Sequence, residues 1–294
     1  MRRGAGTVPA PLLVLGSIVS VQFGGALAVT LLPLVGVAGS VALRLGLATL
    51  LMWPWVRPSL RGRTRADWLA VAAYGATLGA MNLAFYGSLR RLPIGVAVTI
   101  EFIGPLVLSA VLSRHVRDFL AILLAAAGVV LVSGAANTPL RDLDLVGILL
   151  ALAAGACWAT YILTSRRTGR HFSGVDGLAI AMLLASVVVL PLGAFEAGGS
   201  LVHGEALVKG AGIAVLSSVV PYSLELVALR RLPPNVFGIL LSLEPVVAAG
   251  AGLVVLGQRL SGIKLLGMLF VVVASVLILG TTRGGAQEAP PRDV

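Results

Sequence analysis

The sequence predicts an all-α integral membrane protein with ten transmembrane helices, arranged as two five-helix repeats of inverted topology. The first reason is composition: 58% of the residues are hydrophobic and 12% are charged, whereas soluble domains have about 25% charged residues. The second is a series of apolar runs long enough to span a bilayer. The third is an internal repeat. A soluble protein with one very large core would need charged outer faces on its helices, and most of these runs have none.

The apolar runs define ten predicted spans, because about 20 apolar residues of α-helix cross the hydrocarbon of a bilayer. The first half contains Pro11–Leu31, Gly39–Val56, Trp68–Leu89, Ile94–Leu112 and Phe119–Ala136. The second half contains Leu145–Thr164, Gly177–Phe195, Gly210–Leu229, Asn235–Leu256 and Gly262–Leu279. The predicted regions are a cytoplasmic N-terminus (1–10), a first five-helix repeat (11–136), a second five-helix repeat (145–279) and a disordered cytoplasmic tail (283–294).

The first run also has features of a cleavable signal peptide, since Arg2 and Arg3 precede it and an Ala-Leu-Ala segment (26–28) lies at its end. However, Gln22 and a Phe-Gly-Gly break (23–25) interrupt the run. Its removal would also leave the two halves with unequal numbers of spans. We therefore interpret the run as an uncleaved first span.

The distribution of Lys and Arg predicts the orientation, because cytoplasmic loops carry the excess of positive charge. With the N-terminus inside, the inner segments hold fifteen basic residues and the outer segments hold six. Both termini are therefore predicted to be cytoplasmic. The net charge of +10 comes from arginines dispersed among these loops rather than clustered with aromatic residues, which argues against a nucleic-acid partner.

The internal repeat is carried by a pentapeptide, Leu-Arg-Arg-Leu-Pro, which occupies residues 89–93 and recurs unchanged at 229–233. At the same offset of 140 positions, Pro105 matches Pro245 inside the following apolar run. Since each half has an odd number of spans, the second half enters the membrane from the opposite side. Many secondary transporters have this plan, with a pseudo-twofold axis in the membrane plane and a midplane binding site between the halves.

Four charged residues fall within predicted spans: Arg44, Glu101, Glu225 and Glu244. A charge at that depth costs roughly 2.5–3.5 kcal/mol on insertion scales and usually lines a cavity. Glu101 and Glu244 lie near the centres of their spans, which favours function over a buried structural carboxylate. Glu225 lies five residues before Arg230, so a position near the inner surface stays open. For Arg44, snorkelling to the surface and pairing with a glutamate are equal alternatives.

Neutral polar residues accumulate on the same spans. Asn82 and Tyr86 are one helical turn apart, while Ser218, Tyr222 and Glu225 follow helical spacing on the eighth span. Asn82 and Tyr222 match at the repeat offset of 140. The sequence therefore predicts a polar cavity lined by the third, fourth, eighth and ninth spans.

Pro105 and Pro245 interrupt helical hydrogen bonding beside the membrane glutamates. This predicts freed carbonyls or a hinge, with a plain packing kink as an equal alternative. The histidines, His115, His171 and His203, fall in predicted loops and are expected to be solvated. The sequence contains no catalytic triad pattern, metal-ligand cluster or phosphate-binding glycine loop, so an enzyme, a metal site and a cofactor are not predicted.

Several segments resemble the EamA family of the drug/metabolite transporter superfamily. The segments of general resemblance are Ala-Leu-Arg-Leu (42–45), Pro-Ile-Gly-Val-Ala (93–97), Glu-Phe-Ile-Gly-Pro-Leu (101–106) and Gly-Ala-Cys-Trp-Ala-Thr-Tyr (155–161). Two others, Pro-Tyr-Ser-Leu-Glu (221–225) and Ser-Leu-Glu-Pro (242–245), resemble the threonine/homoserine exporter branch of this family. The resemblance extends from about Leu13 to Leu279.

The resemblance implies ten spans in two EamA repeats, residence in a bacterial inner membrane, and export of small amino acids or related metabolites by proton antiport. The Gly-Ala-Cys-Trp-Ala-Thr-Tyr segment (155–161) also adds Trp158 to the candidate binding residues. One departure concerns the residues after the ninth span, where family members often have Gly-Glu and this chain has Gly257-Gln258. Any role of that glutamate in gating or stability is therefore in doubt here.

The predicted mechanism is alternating access with protons and substrate competing for one site. Glu101, Glu244 and Glu225 would face the ammonium of an amino acid, while Arg44, Asn82 and the tyrosines Tyr86 and Tyr222 would face its carboxylate. Burial disfavours the charged form of a carboxyl group, so proton and substrate exclude each other. The alternatives are a multidrug or other metabolite transporter of the same fold, and a non-transporting membrane scaffold or enzyme. A homodimer also stays open.

Overall fold

The computed structural model describes residues 8–113, 115–135, 139, 143–248 and 261–287, apart from the side chains of residues 26, 29 and 280–287. All regular structure in these residues is helical. The helices are α1 Ala10–Val56, α2 Arg65–Leu89, α3 Ile94–Leu112, α4 Val116–Ser133, α5 Leu145–His171, α6 Asp176–Ala197, α7 Gly204–Ala214, α8 Val220–Leu229, α9 Pro234–Leu241 and α10 Gly262–Gln287. A 3₁₀ turn, Gly198–Val202, follows α6, and a π-helical turn, Val215–Val219, joins α7 to α8.

The predicted membrane class is confirmed by the length and surface of these helices. Eight helical segments of the described residues are long and apolar enough to cross a bilayer, and two shorter apolar segments, Ala10–Gly25 and Pro234–Ala248, accompany them. Large apolar side chains such as Trp55, Val111 and Phe195 lie on the outside of the bundle. An outer surface of this kind is stable against lipid but not against water.

The helix α1 contains both of the first two predicted spans, and a break at Gly36 separates them. Gly36 has φ 71° and ψ −168°, a conformation that glycine adopts without steric cost. The carboxylate of Glu196 occupies the space beside it, since a Cβ at Gly36 would lie 2.6 Å from the carboxyl carbon. The same carboxylate accepts a hydrogen bond from the backbone N–H of Ala38. Glu196 thereby links the second part of α1 to the end of α6.

Several helix boundaries differ from the prediction. α5 continues to His171 instead of ending near Thr164, and α7 begins at Gly204. α10 continues to Gln287, past the predicted start of the tail at residue 283. In the ninth span a turn follows α9 at residues 242–243. The rest of that span after residue 248, together with Gln258, lies outside the described residues.

The prediction that His171 lies in a loop is wrong, whereas its predicted exposure to solvent is confirmed. His171 is the last residue of α5, and its Nδ1 lies 2.6 Å from Oδ1 of Asp67. Asp67 is held in place by a capping box with Thr64 at the start of α2, which satisfies two otherwise free N–H groups. The charged residues of α5 let the helix extend beyond the hydrocarbon, so its last turn reaches α2.

The bundle is held together by close contacts between small residues. α1 packs against α6, α2 against α5, α3 against α5 and α9, and α4 against α10. In the α4–α10 pair, a Cβ at Gly128 would lie 2.7 Å from the carbonyl oxygen of Gly267. In the α3–α5 pair, a Cβ at Gly104 would overlap the carbonyl oxygen of Gly155. Glycines at these crossings allow the helix backbones to approach each other, as is common between membrane helices.

Candidate functional site

Arg44 of α1 is buried in the centre of the bundle and binds the eighth span. Its Nε donates to Ser218 Oγ at 2.8 Å, and its Nη2 donates to Tyr222 Oη at 3.0 Å and to the carbonyl oxygen of Ser217. Its Nη1 has only a 3.5 Å contact with Tyr86 Oη. One side of the guanidinium is therefore fixed, and Nη1 has donors left for a ligand. Arg44 is buried, so it does not snorkel to the surface. It makes no ion pair with a described carboxylate, and it interacts electrostatically with Glu225 and Glu101.

The carbonyl that receives Arg44 is free because of Pro221. Proline has no N–H, so Pro221 cannot donate to the carbonyls that precede it in the helix. The π-helical turn and Pro221 together leave Leu216 and Ser217 without partners in their own helix. Ser20 Oγ donates to the Leu216 oxygen at 2.7 Å, and Arg44 donates to the Ser217 oxygen. The break in the eighth span is thus bound to α1 by two hydrogen bonds.

Gly24 allows this contact, since a Cβ at its position would overlap Ser217 Oγ. The Phe-Gly-Gly segment that interrupts the first apolar run (23–25) is therefore a place where the backbone of α1 approaches the π-helical turn. π-helical turns occur often at functional sites. Sequence analysis did not identify the roles of Ser217 and Pro221, although Pro221 belongs to the Pro-Tyr-Ser-Leu-Glu segment.

Asn82 and Tyr222 contact each other directly. Asn82 Nδ2 donates to Tyr222 Oη at 3.2 Å and to the carbonyl oxygen of Leu78 at 2.8 Å. Tyr222 Oη thus accepts from both Asn82 and Arg44. A phenol oxygen has two lone pairs, so its own hydrogen is left to donate to a further group. Asn82 is 3% exposed and Tyr222 is 5% exposed, which places this donor in a buried site.

Glu225 lies inside the bundle, and its depth relative to the inner membrane surface stays a prediction. Its side chain is 5% exposed, and Oε2 accepts a 2.7 Å hydrogen bond from Tyr161 Oη of α5. The ring of Tyr161 lies between those of Tyr74 and Tyr222, with centroids 5.6 Å away on each side. Sequence analysis missed Tyr161 as a site residue. The available signal was its spacing of three residues from Trp158 on one helical face.

Glu101 and Glu244 lie in the same interior, but neither carboxylate makes a hydrogen bond or ion pair with a described residue. Glu101 is 8% exposed on α3, and Glu244 is half-buried at the start of the helical residues 244–248 that follow the turn after α9. Glu101 interacts electrostatically with Glu244 and Arg44, and Glu244 interacts with Glu225. The four charged residues found in the spans therefore converge on one region.

Pro105 acts on the backbone next to Glu101. It cannot donate to the carbonyl of Glu101, four residues earlier, and Gly155 of α5 packs against that carbonyl. A Cβ at Gly155 would lie 2.5 Å from the Glu101 oxygen. Pro245 is buried immediately after Glu244. A hinge at either proline stays a prediction.

Trp158 of α5 is 8% exposed and packs edge-on against Phe102 with centroids 4.9 Å apart. Phe102 follows Glu101 on α3, and the two rings form an apolar wall in this part of the bundle. Among the predicted site residues, direct hydrogen bonds join Arg44, Asn82, Tyr86 and Tyr222. Trp158 contributes no polar contact to this group.

Comparison with known proteins agrees with this architecture. A model of the EamA-like transporter family matches residues 145–280. The threonine/homoserine exporter RhtA of Salmonella typhimurium (strain LT2) is 41% identical over 265 residues, which cover 90% of this chain and 89% of that protein. RhtA of Escherichia coli (strain K12) is 40% identical over 264 residues, covering 90% and 89%.

A solved crystal structure superposes with a TM-score of 0.76 and covers 93% of this chain and 98% of that one. At 17% identity this similarity concerns the fold alone. The identity to the exporters extends over nearly the whole chain and confirms the family resemblance noted in the sequence. The chain belongs to the EamA-like transporter family, and it is therefore a membrane transporter and not an enzyme.

Proposed function

We propose that the protein exports small amino acids resembling threonine and homoserine across a bacterial inner membrane, in exchange for protons. The single observation that carries the proposal is the composition of the buried site. Arg44 presents unoccupied donors at Nη1, while Glu101 and Glu244 have no hydrogen-bond partner among the described residues. A zwitterionic ligand supplies the two missing partners, an anion and a cation. The relatives that cover most of the chain carry the names of such exporters.

The carboxylate of the substrate binds Arg44 Nη1, with the free hydrogens of Tyr222 and Tyr86 as further donors. A guanidinium binds carboxylates more strongly than neutral donors do, because the hydrogen bonds are charge-assisted. The ammonium of the substrate binds Glu101 and Glu244. Trp158 and Phe102 cover the apolar part of a small side chain next to Glu101.

Proton coupling follows from the pair of glutamates. Two carboxylates that share a buried site cannot both stay charged unless a cation lies between them. Either a proton or the substrate ammonium fulfils this condition, so the two compete for one position. Release of the amino acid on one side of the membrane then requires protonation, and return of the empty site carries the proton inward.

The ten-span inverted repeat, with its halves at 11–136 and 145–279, is part of the proposal. Helices from equivalent places in the two halves pack against each other, as in the α3–α9 and α4–α10 pairs. Asn82 and Tyr222, which match at the 140-residue offset, are in direct contact. Under twofold symmetry, equivalent residues touch only next to the axis. This contact therefore supports a pseudo-twofold axis that passes between α2 and α8, beside the site.

The proposed orientation has both termini in the cytoplasm. Contacts between loops support it, because residues assigned to one side pair with residues of the same side. Arg90 pairs with Glu196 at the outer end, while Arg63 pairs with Asp176 at the inner end. The two halves then rock about the site, so that it opens to each side in turn.

The test is uptake of radiolabelled threonine into inverted membrane vesicles, with and without an imposed proton gradient. We expect gradient-dependent uptake that is lost in Glu101→Gln and retained in Glu205→Gln. Glu205 is a matched control because its exposed side chain pairs only with Lys209, one turn away on the same helix. Equal rates of threonine uptake with and without the imposed proton gradient would overturn the antiport proposal. Uptake in Glu101→Gln equal to that of the unaltered protein would overturn the assigned role of Glu101.

A further inference from the structure

A line of buried hydroxyl groups leads from Glu225 toward the end of the bundle that carries His171. Tyr161, Ser165 and Thr168 share one face of α5, at spacings of four and three residues. Tyr74 of α2 lies beside Tyr161 and Ser165. All four side chains are fully buried in the contact between α2 and α5. At about 1.5 Å per residue, the line from Tyr161 to Thr168 covers roughly 10 Å along the helix.

Two hydroxyls in this line have no hydrogen-bond partner among the described residues: Tyr74 Oη and Ser165 Oγ. Buried polar groups in proteins are almost always paired, either with the protein or with an internal water. Two unpaired hydroxyls side by side form a polar site where a water molecule would find several partners. Their pairing with each other or with water would connect Tyr161 to the next turn of α5.

The line of hydroxyls ends close to polar residues that are exposed to solvent. Thr168 Oγ1 donates to the carbonyl oxygen of Ala70 at 3.3 Å. One turn further along α5, His171 Nδ1 contacts Asp67 Oδ1 at 2.6 Å, and both side chains reach solvent. An imidazole takes up a proton at one nitrogen and releases it from the other. His171 and Asp67 are therefore suited to exchange protons with the cytoplasmic side in the proposed orientation.

We propose that Tyr161, Tyr74, Ser165 and Thr168, together with internal water, form a proton path between Glu225 and the His171–Asp67 pair. This inference rests on the proposed proton coupling and assigns it a route. Around Glu225 the facing groups are Tyr161 from α5, Ser17 and Arg44 from α1, Tyr222 from its own helix, and Glu244 after α9. Around His171 they are Asp67 from α2 and Arg63, whose Nη1 donates to the carbonyl oxygen of His171.

The path carries protons by transfer between hydrogen-bonded oxygens, with no bond to the amino acid. A proton that enters at one end displaces one at the other, so each hydroxyl is restored after the transfer. The amino acid itself stays on the other side of Tyr161, with Arg44, Glu101 and Glu244. Proton and substrate thus reach the site by different routes.

Ser165→Ala and Tyr74→Phe separate this role from a packing role. Each substitution removes a hydroxyl that makes no hydrogen bond to the backbone or side chains outside the proposed path, among the described residues. Loss of an unpaired buried hydroxyl leaves a protein equally or more stable. Packing alone therefore predicts no loss of transport. Ser275→Ala is the matched control, because Ser275 is a buried serine whose hydroxyl bonds only to Val271 of its own helix.

The experiment uses the full-length protein in proteoliposomes and two assays. In the first, an acidic interior drives uptake of labelled threonine, which requires proton movement. In the second, liposomes loaded with unlabelled threonine exchange it for labelled threonine without a pH gradient. We expect Ser165→Ala and Tyr74→Phe to slow proton-driven uptake about tenfold, in line with the loss of a positioned proton-transfer group. Their threonine exchange should equal that of the unaltered protein.

Unchanged proton-driven uptake in both variants would overturn the path. Loss of both activities together would also overturn it, because the hydroxyls would then support the whole cavity. Failure of the proposed function has a different signature, in which the unaltered protein shows neither exchange nor proton-driven uptake of threonine.

Discussion

Glu225 and Glu101 are buried carboxylates in one interior, yet their surroundings differ. Glu225 accepts a 2.7 Å hydrogen bond from Tyr161 and lies on the helix that Arg44 and Asn82 hold in place. Glu101 has no hydrogen bond to a described residue, and its neighbours are the apolar wall of Phe102 and Trp158 and the distant charges of Glu244 and Arg44. Glu225 belongs to a connected polar network, whereas Glu101 is left without a partner.

This difference indicates that the two carboxylates have different roles. A carboxylate in a saturated network is held in position, and its replacement affects the fold as well as transport. A buried carboxylate without a partner is unfavourable in the empty protein, and it is stabilised most when a cation binds next to it. We therefore assign ligand binding to Glu101 and structural positioning with proton transfer to Glu225. Substitutions that affect one region and spare the other test this assignment.

The largest effect is expected for Arg44→Gln. The substitution removes the positive charge that interacts with Glu101 and Glu225. It also disrupts the bonds to Ser218, Tyr222 and the Ser217 carbonyl. Breaking a buried charge network costs about 3–5 kcal/mol, so the free energy of unfolding should fall by that order and threonine transport should be lost. Thermal unfolding in detergent measures the first effect. Arg44→Lys should restore part of the stability but not transport, because an ammonium lacks the planar fork.

Glu101→Gln should weaken threonine binding by about 2–5 kcal/mol, the usual effect of removing one partner of a buried charge pair. The free energy of unfolding should change little, because the carboxylate makes no hydrogen bond in the empty protein. Equilibrium binding of labelled threonine and thermal unfolding of the same preparation check the two parts. A large loss of stability without loss of binding would place Glu101 in the structural network instead.

Gly155→Ala should move Glu101 without a direct effect on the network around Glu225. The new Cβ would lie 2.5 Å from the carbonyl oxygen of Glu101, a backbone atom that cannot rotate away. Overpacking of this kind typically costs about 1–3 kcal/mol, and we expect that loss in unfolding together with reduced transport. Gly199→Ala is the control, since a Cβ there meets no atom within 4 Å. Equal behaviour of the two variants would contradict the described α3–α5 contact.

A small loss of stability is expected for Tyr161→Phe. It removes only the hydroxyl that donates to Glu225, and a typical hydrogen bond contributes about 0.5–1.5 kcal/mol. The contacts among the three tilted rings are retained, so the helices should keep their packing. The free energy of unfolding should fall by that amount, while threonine exchange without a pH gradient continues. Complete loss of exchange would move Tyr161 from the proton side of the site to the substrate side.

The sequence predicted the membrane class and the residues that carry buried polarity, because a charge inside an apolar run is visible without a structure. It did not determine which of these residues meet. The depth of Glu225 depends on how far α8 extends past the break at Pro221, and spacing alone left two positions open. The partners of Arg44 include Ser218 and the carbonyl of Ser217, and neither has a sequence signal that points to an arginine 174 or 173 positions away.

Long-range contacts account for the other differences. Tyr161 is one of several aromatic residues on apolar helices, and only the packing of α5 against α2 and α8 distinguishes it. His171 looked like a loop residue because arginines precede it, yet polar residues can extend a helix beyond the hydrocarbon. The break at Gly36 depends on the carboxylate of Glu196, 160 positions later, which no local pattern predicts.

The most direct test compares threonine with 3-hydroxybutyrate, which keeps the carboxylate and the hydroxyl but lacks the ammonium. Competition against labelled threonine gives the affinity of each ligand for the unaltered protein, Glu101→Gln and Glu205→Gln. We expect the unaltered protein and Glu205→Gln to bind threonine much more tightly than 3-hydroxybutyrate. Glu101→Gln should lose this preference, while its affinity for 3-hydroxybutyrate should equal that of the unaltered protein. An undiminished preference for threonine in Glu101→Gln would contradict the assignment of Glu101 as the group that binds the ammonium.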